Sequence, residues 1–180
     1  MSFAVFNGTG RASTEPSRKH RSVGEKTGRN PTDRGKSGTK RSLLTDGDGV
    51  PLSVVVAGAN VHDMRLVGAT LDRMMVPRPD PLTQVEQRFC ADKGYDYPSV
   101  RRLIDFWGYT AQIKSRGQEQ EEKKRIPRYR ARRWVVERTH SWLNRFRRLL
   151  IRWEKKTDNY VAMLHFACAW ITFRAAGVLG

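Results

Sequence analysis

Two carboxylates in this chain have the setting for chemistry on phosphate. Gln87-Arg88-Phe89-Cys90-Ala91 reads as a short strand and Asp92-Lys93-Gly94-Tyr95-Asp96 as the turn after it, so Asp92 projects from the strand's C-terminal edge. Forty-five positions later, Glu137 stands in the basic helical run Arg132-Arg133-Trp134-Val135-Val136-Glu137-Arg138. Mg²⁺ and Mn²⁺ take oxygen ligands and keep waters that reacting groups replace. Two such ions about 3.5 to 4 Å apart activate an attacking oxygen and stabilise a leaving one. Arginines around them neutralise phosphates and hold the scissile bond in line.

Each group also has a structural role open to it. Asp92 can stabilise the turn before Gly94, and Glu137, four residues after Arg133, can form a surface helix pair worth about 0.3 to 0.5 kcal/mol. Asp63 and Asp96 can cap helices. His62 and His140 lack the spacing of a zinc site, and Trp134, Trp142 and Trp153 are either core residues or platforms for bases.

The elements that must position these groups follow from composition and pattern. The 180 residues suit one domain, and the formal charge of +16 is unevenly spread. Residues 1–41 hold ten Lys/Arg against three Asp/Glu, and residues 114–156 hold sixteen against five. The stretch 42–113 has seven basic and nine acidic residues. An acidic-leaning centre between basic arms favours a polyanion bound through phosphates, hence a salt-sensitive contact with nucleic acid. Lys40 and Arg41, at the end of the first arm, and Arg133, Arg138 and Arg145, around the basic helix, are the residues expected to grip DNA. Cys90 and Cys168 lie in apolar runs without metal-ligand spacing, which fits a reducing cytoplasm. No secretory signal or membrane segment is evident.

Residues 1–41 read as a basic, mostly extended arm with almost no large apolar residue after Phe6. The domain is expected over 42–176. Ser42 to Thr45 and Leu52 to Ala57 read as strands joined by Asp46-Gly47-Asp48-Gly49, a strong hairpin signal. A helix capped at Asn60 or Asp63 runs to about Met75, and another from Pro98 to Trp107 stops at Gly108. Tyr109 to Ile113 follows as a strand, and 114–128 as a polar loop. A long helix is expected from Tyr129 to about Arg148, with Val135, Trp142, Phe146 and Leu149 on one side and Glu137 nearly opposite Val135, beside Arg133, His140, Ser141 and Asn144. A last helix, about Asp158 to Arg174, is apolar on most faces and so belongs to the core or to a partner contact. The order ββαβαβαα indicates an α/β domain with a mixed sheet.

Several motifs, taken in order, carry a resemblance. They are Gly24-Glu25-Lys26-Thr27-Gly28, Asn30-Pro31-Thr32-Asp33-Arg34-Gly35-Lys36-Ser37-Gly38, Gly49-Val50-Pro51-Leu52, Ala59-Asn60-Val61-His62-Asp63, Ala91-Asp92-Lys93-Gly94-Tyr95-Asp96 and Trp134-Val135-Val136-Glu137-Arg138. Over residues 24 to 174 they resemble bacterial insertion-sequence transposases of the DDE type, in the family named for insertion sequence number five. The resemblance implies a ribonuclease-H-like mixed sheet flanked by helices, here N-terminally incomplete. It also implies Mg²⁺-dependent cutting at transposon ends (Mn²⁺ being an alternative) and strand transfer into target DNA. By position, Asp92 resembles the second catalytic and metal-binding carboxylate and Glu137 the third. Arg133 and Arg145 resemble the basic residues that flank that Glu, with Tyr129 as first member of the signature.

Where family members place the first catalytic Asp, this chain has Asn7, in Phe6-Asn7-Gly8-Thr9-Gly10-Arg11-Ala12, with the spacing to Arg-Ala one residue short. An amide offers one oxygen and no charge. The expectation is therefore a C-terminal catalytic portion, either a truncated copy or a downstream half completed by an upstream-frame product, acting as a homo-oligomer on DNA at the bacterial nucleoid. The alternative is a non-catalytic DNA-binding remnant that regulates full-length transposase.

Overall fold

The computed structural model describes residues 2–13, 25–31, 35–78, 86–114, 116–125 and 134–177. A mixed sheet of six strands forms its centre. The strands are β1 (Ser2–Ser13), β2 (Gly28–Arg29), β3 (Ser37–Thr45), β4 (Pro51–Gly58), β5 (Gln87–Ala91) and β6 (Thr110–Ile113). β1 pairs antiparallel with β3 on one edge and parallel with β5 on the other. β6 extends the sheet parallel to β5, and β4 and then β2 occupy the outer edge of β3, both antiparallel to it.

The β3–β4 hairpin forms where the Asp-Gly pairs predict it. Asp46 Oδ1 accepts from the backbone N–H of Asp48 (2.9 Å) and of Val50 (2.8 Å), which folds the chain back on itself. Gly49 has φ 87°, and a Cβ there would lie 2.9 Å from Thr139 Oγ1, so glycine is required both by backbone conformation and by space. In the ladder that follows, Val54, Val55 and Val56 stand opposite Leu43, Ser42 and Arg41, and Ser53 opposite Leu44.

Strand alternation sorts the core into two layers. Leu43, Val54, Val56 and Cys90 face one side, where α4 (Trp134–Asn144), α5 (Arg147–Leu150) and α6 (Thr157–Ala175) bring Val135, Val136, Leu143, Leu149, Tyr160, Leu164 and Ala167. Leu44, Phe89 and Ala91 face the other, where α1 (Val67–Asp72) and α2 (Pro98–Phe106) bring Val67, Leu71, Val100 and Ile104. Full burial of a single Leu or Phe side chain is worth about 1.5–3 kcal/mol. A ten-residue helix, α3 (Arg116–Arg125), is almost wholly polar.

Four expectations from sequence are corrected. The described parts of residues 1–41 are not an extended arm: β1 lies in the middle of the sheet, β2 lies at its edge, and β3 runs through the expected boundary at residue 42. The apolar pattern hid this, because β1 is held by hydrogen bonds along both edges, a source of order that composition does not report. The segment expected as a loop over 114–128 contains α3. The long helix breaks at Arg145–Phe146 into α4 and α5, and its expected start at Tyr129 lies outside the described residues. Between Asp63 and Asp72 the chain makes a 3-10 turn and then a short α1, where one helix to Met75 is expected. No helix among the described residues is long and apolar enough to cross a membrane.

Candidate functional site

Asp92 follows the last residue of β5, at the end of the sheet's central parallel pair. Cys90 belongs to the layer under α4 and Ala91 to the opposite one, so the alternation continued by one residue carries Asp92 to the α4 side. The Asp92 carboxylate is half-buried and accepts from Lys93 N at 2.6 Å, which starts the 3-10 turn over Lys93–Tyr95. The turn-stabilising role open to Asp92 is therefore real, and it holds the carboxylate at the strand edge. The parallel register of Val5 with Cys90, continued by two residues, places Asn7 level with Asp92 on the adjoining strand.

Glu137 is exposed on α4, opposite the buried Val135, as the helical wheel predicts. Thr139 Oγ1 donates to Gly49 O at 2.7 Å and Arg138 donates to the Asp48 carbonyl, so that flank of α4 meets the β3–β4 hairpin. Glu137 and Asn144 are seven residues apart, hence about 20° apart around the helix. Asn144 Oδ1 accepts from Arg41 Nη2 at 2.6 Å, further along β3 from the hairpin. The flank carrying Glu137 is thus turned from the hairpin, and Asp92 stands at the strand end away from it.

The neighbouring acids take structural parts. Asp96 does not cap α2, whose N-cap is Tyr97. It pairs with Arg101 (Nε to Oδ1, 2.6 Å) and with Lys93, and these hydrogen bonds, Arg101's first, hold its carboxyl down at about 2. His62, not Asn60 or Asp63, caps the first 3-10 turn, through Nδ1 to Met64 N at 3.4 Å, and its ring meets Tyr97 edge-on. His140, expected beside Glu137, is buried instead.

Three residues expected to grip DNA are committed elsewhere. Lys40 is buried, donating to Val61 O at 2.6 Å and pairing with Asp63 at 2.8 Å. Arg41 is fully buried beneath α4 and α6, and burial lowers its pKa. Arg138 lies between the rings of Trp134 and Trp142, 4.5 and 4.8 Å from their centroids, while donating to the hairpin. All three read as surface charge because they sit among other basic residues. In fact the alternation of β3 turns Lys40 and Arg41 to opposite faces, each covered by helices or turns. Arg145 is exposed, as expected, and Arg133 lies outside the described residues.

Arg152 is a residue the sequence reading missed. It is 4% exposed and donates from Nη1 to Thr39 Oγ1 (2.8 Å), from Nε to Glu154 O (3.0 Å), and from Nη2 to Lys155 O (3.3 Å) and Thr157 Oγ1 (3.2 Å). The one signal for it was its place directly after the apolar run Leu149-Leu150-Ile151.

The arrangement is a strand-end carboxylate and a second carboxylate on a helix over the same sheet face, and comparison with known proteins gives the class. Residues 12–172 match the transposase DDE domain. The chain is also 39% identical, over 159 residues, to a putative transposase for insertion sequence element IS402 from Burkholderia cepacia, covering 84% of this chain and 72% of that protein. No solved structure matches. The chain belongs to the DDE transposase family. Its function is that of a DNA transposase, so DNA is its partner, and the family generally uses divalent metal ions.

Proposed function

We propose that this chain carries out metal-dependent DNA strand cleavage and strand transfer on a ribonuclease-H-like domain, with Asp92 and Glu137 as the metal-binding carboxylates. The observation that carries this reading is the position of Asp92, at the C-terminal end of β5 beside β1, on the face that α4 covers. The strand order β4-β3-β1-β5-β6, antiparallel across the first three and parallel across the last three, supports the ribonuclease-H-like assignment.

The donor set fits Mg²⁺ or Mn²⁺. Mg²⁺ is commonly bound by one or two carboxylates together with waters and substrate phosphates, not by a closed protein cage. Among the described residues no group of three or more His, Cys, Asp or Glu could hold a metal, so the two carboxylates would need waters and substrate phosphates to complete the ion's shell. Asp92 and Glu137 would hold the ion, and when bound it would supply Lewis-acid stabilisation of the attacking and leaving oxygens. The chain's own part is positional. The Lys93 N–H and the 3-10 turn fix the Asp92 carboxylate at the strand edge, and exposed Arg145 offers a forked donor to a phosphate. Level with Asp92, the neutral Asn7 is where a carboxylate from an upstream-frame product, acting within an oligomer, would complete the site.

Nicking of DNA carrying the element's ends tests the reading. Asp92→Asn keeps an oxygen that can accept from Lys93 N but loses the charge. It should abolish Mg²⁺-dependent nicking and leave DNA binding intact, whereas Asn7→Asp should raise nicking. Nicking retained by Asp92→Asn refutes the assignment. Binding without any nicking in wild type or Asn7→Asp marks the chain as a non-catalytic remnant.

A further inference from the structure

The three tryptophans that sequence leaves ambiguous part company in the structure. Trp134 and Trp142 pack against the core and enclose Arg138. Trp153 is 55% exposed. It stands in the segment that links α5 to α6, and that segment is fixed from inside by Arg152, whose guanidinium gathers the carbonyls of Glu154 and Lys155 and the hydroxyls of Thr39 and Thr157, 5.2 Å from the Tyr160 ring centroid. With Arg152 drawn inward, Trp153, Lys155 and Lys156 are left on the outside, all exposed.

A second segment is tied to the same anchor. Thr157 Oγ1 donates to Glu25 O at 3.0 Å and Thr39 Oγ1 to Lys26 O at 3.3 Å. Lys26 is exposed and held at φ 52°, a left-handed conformation uncommon for a residue with a side chain. The two tethers hold the backbone of Glu25 and Lys26 against Thr157 and Thr39, the same hydroxyls that Arg152 binds beneath the Trp153 segment. Glu154, the acid within this run, is covered by Arg148 at 3.4 Å, so the exposed charge around the indole is mainly positive. Glu25 and Asp158, in the first turn of α6, are the exposed acids that oppose it. Thr39 pairs with Ala12, five residues beyond Asn7, so the surface lies on the order of 20 Å from the Asp92 edge, within the span of one bound DNA.

We propose that Trp153, with Lys155 and Lys156 exposed in the same segment and Lys26 in the segment tethered to it, is a binding point for unpaired DNA: the indole stacks on an unstacked base and the ammonium groups hold the flanking phosphates. The combination of a rigidly presented exposed ring and surrounding cations matches what single-stranded nucleic acid offers, a π-face on every base and a charge on every phosphate. The proposal rests on the DNA transposase reading and specifies which form of the DNA this surface takes.

The test is binding by the full chain in EDTA, where no cutting occurs, to a thymidine oligonucleotide of about 12 nucleotides and to a blunt duplex of equal length. Trp153→Ala should weaken single-strand binding by about 10- to 100-fold and leave duplex binding unchanged. Trp153→Phe should recover most of the loss, and Trp153→Leu replaces the alanine variant if that one melts early. Lys155→Gln with Lys156→Gln should weaken both and reduce the single-strand salt slope by about 1.4. Unchanged single-strand affinity in Trp153→Ala, or an equal loss on single strand and duplex, overturns the stacking role, and tighter binding of RNA at matched salt overturns DNA as the ligand. Nicking by a chain with unaltered single-strand binding in Trp153→Ala rejects this inference alone. A Trp153-dependent chain that never nicks rejects only the catalytic reading.

Discussion

The two faces of the central sheet solve the same packing problem with different materials. Beneath α1 and α2 the layer is largely apolar and its polar members are satisfied, Ser42 with Thr70 at 2.8 Å and the one buried cation, Lys40, by Asp63 at 2.8 Å and Val61 O. Beneath α4 and α6 the layer contains two arginines, Arg41 at 0% and Arg152 at 4% exposure, and the same side carries Glu137, Trp153 and the outward Phe166 and Trp170. The first face is built for stability. The second holds charge at a cost in desolvation, and the proposed chemistry lies along it.

The second face itself contains an instructive pair. All of Arg152's nitrogens donate, and the segment before α6 is organised around them. Arg41 makes one hydrogen bond, to Asn144, and its Nε and Nη1 are buried without a partner among the described residues. A buried polar group is stabilising only when satisfied.

The largest effect expected is on the apolar face. Phe89→Ala should cost about 3–5 kcal/mol, read by chemical denaturation, because it opens a cavity under a fully buried ring. A loss below 1 kcal/mol on the order of a surface change would mean that this face is not the stabilising layer. Next in size, Arg152→Met should cost about 1–3 kcal/mol by leaving Thr39, Thr157 and two carbonyls without their donor. Arg41→Met, of similar bulk, should be neutral or stabilising, since little compensates that buried charge. Equal losses in the two variants would erase the distinction between the arginines.

The smallest effect concerns Asp96. Its carboxyl is held down to about 2 from 3.8 by Arg101 and then Lys93, so its stabilisation is complete above the ordinary value and fades as pH falls toward the lower one. Asp96→Asn should therefore lower Tm slightly at neutral pH and not at all below about pH 2. A Tm difference that persists in acid would assign the effect to something other than charge.

The hairpin, the strand before Asp92 and the last helix were legible because Asp-Gly pairs, β-branched runs and apolar helical spacing act locally. The burial of Val135 and exposure of Glu137 were legible for the same reason. β1 was not, since it gains its order from strands far away in sequence, Ser2 to Val5 from β5 and Val5 to Ser13 from β3, across a register shift between Asn7 and Gly10. Arg41 and Arg152 were unreadable in a different way: a basic residue in a basic run looks solvated until a helix is known to cover it. Family likeness singled out Asp92 and Glu137, and only the alternation along β5 shows that Asp92 falls on the side that α4 covers.

The most direct test of the shared metal site is a Mn²⁺ titration of the full chain followed by electron paramagnetic resonance, without DNA and without any requirement for activity. The account predicts bound Mn²⁺ in the wild-type chain and a marked loss of binding in both Asp92→Asn and Glu137→Gln. Wild-type Mn²⁺ affinity in either single variant would contradict it, because that carboxylate would then not be a ligand.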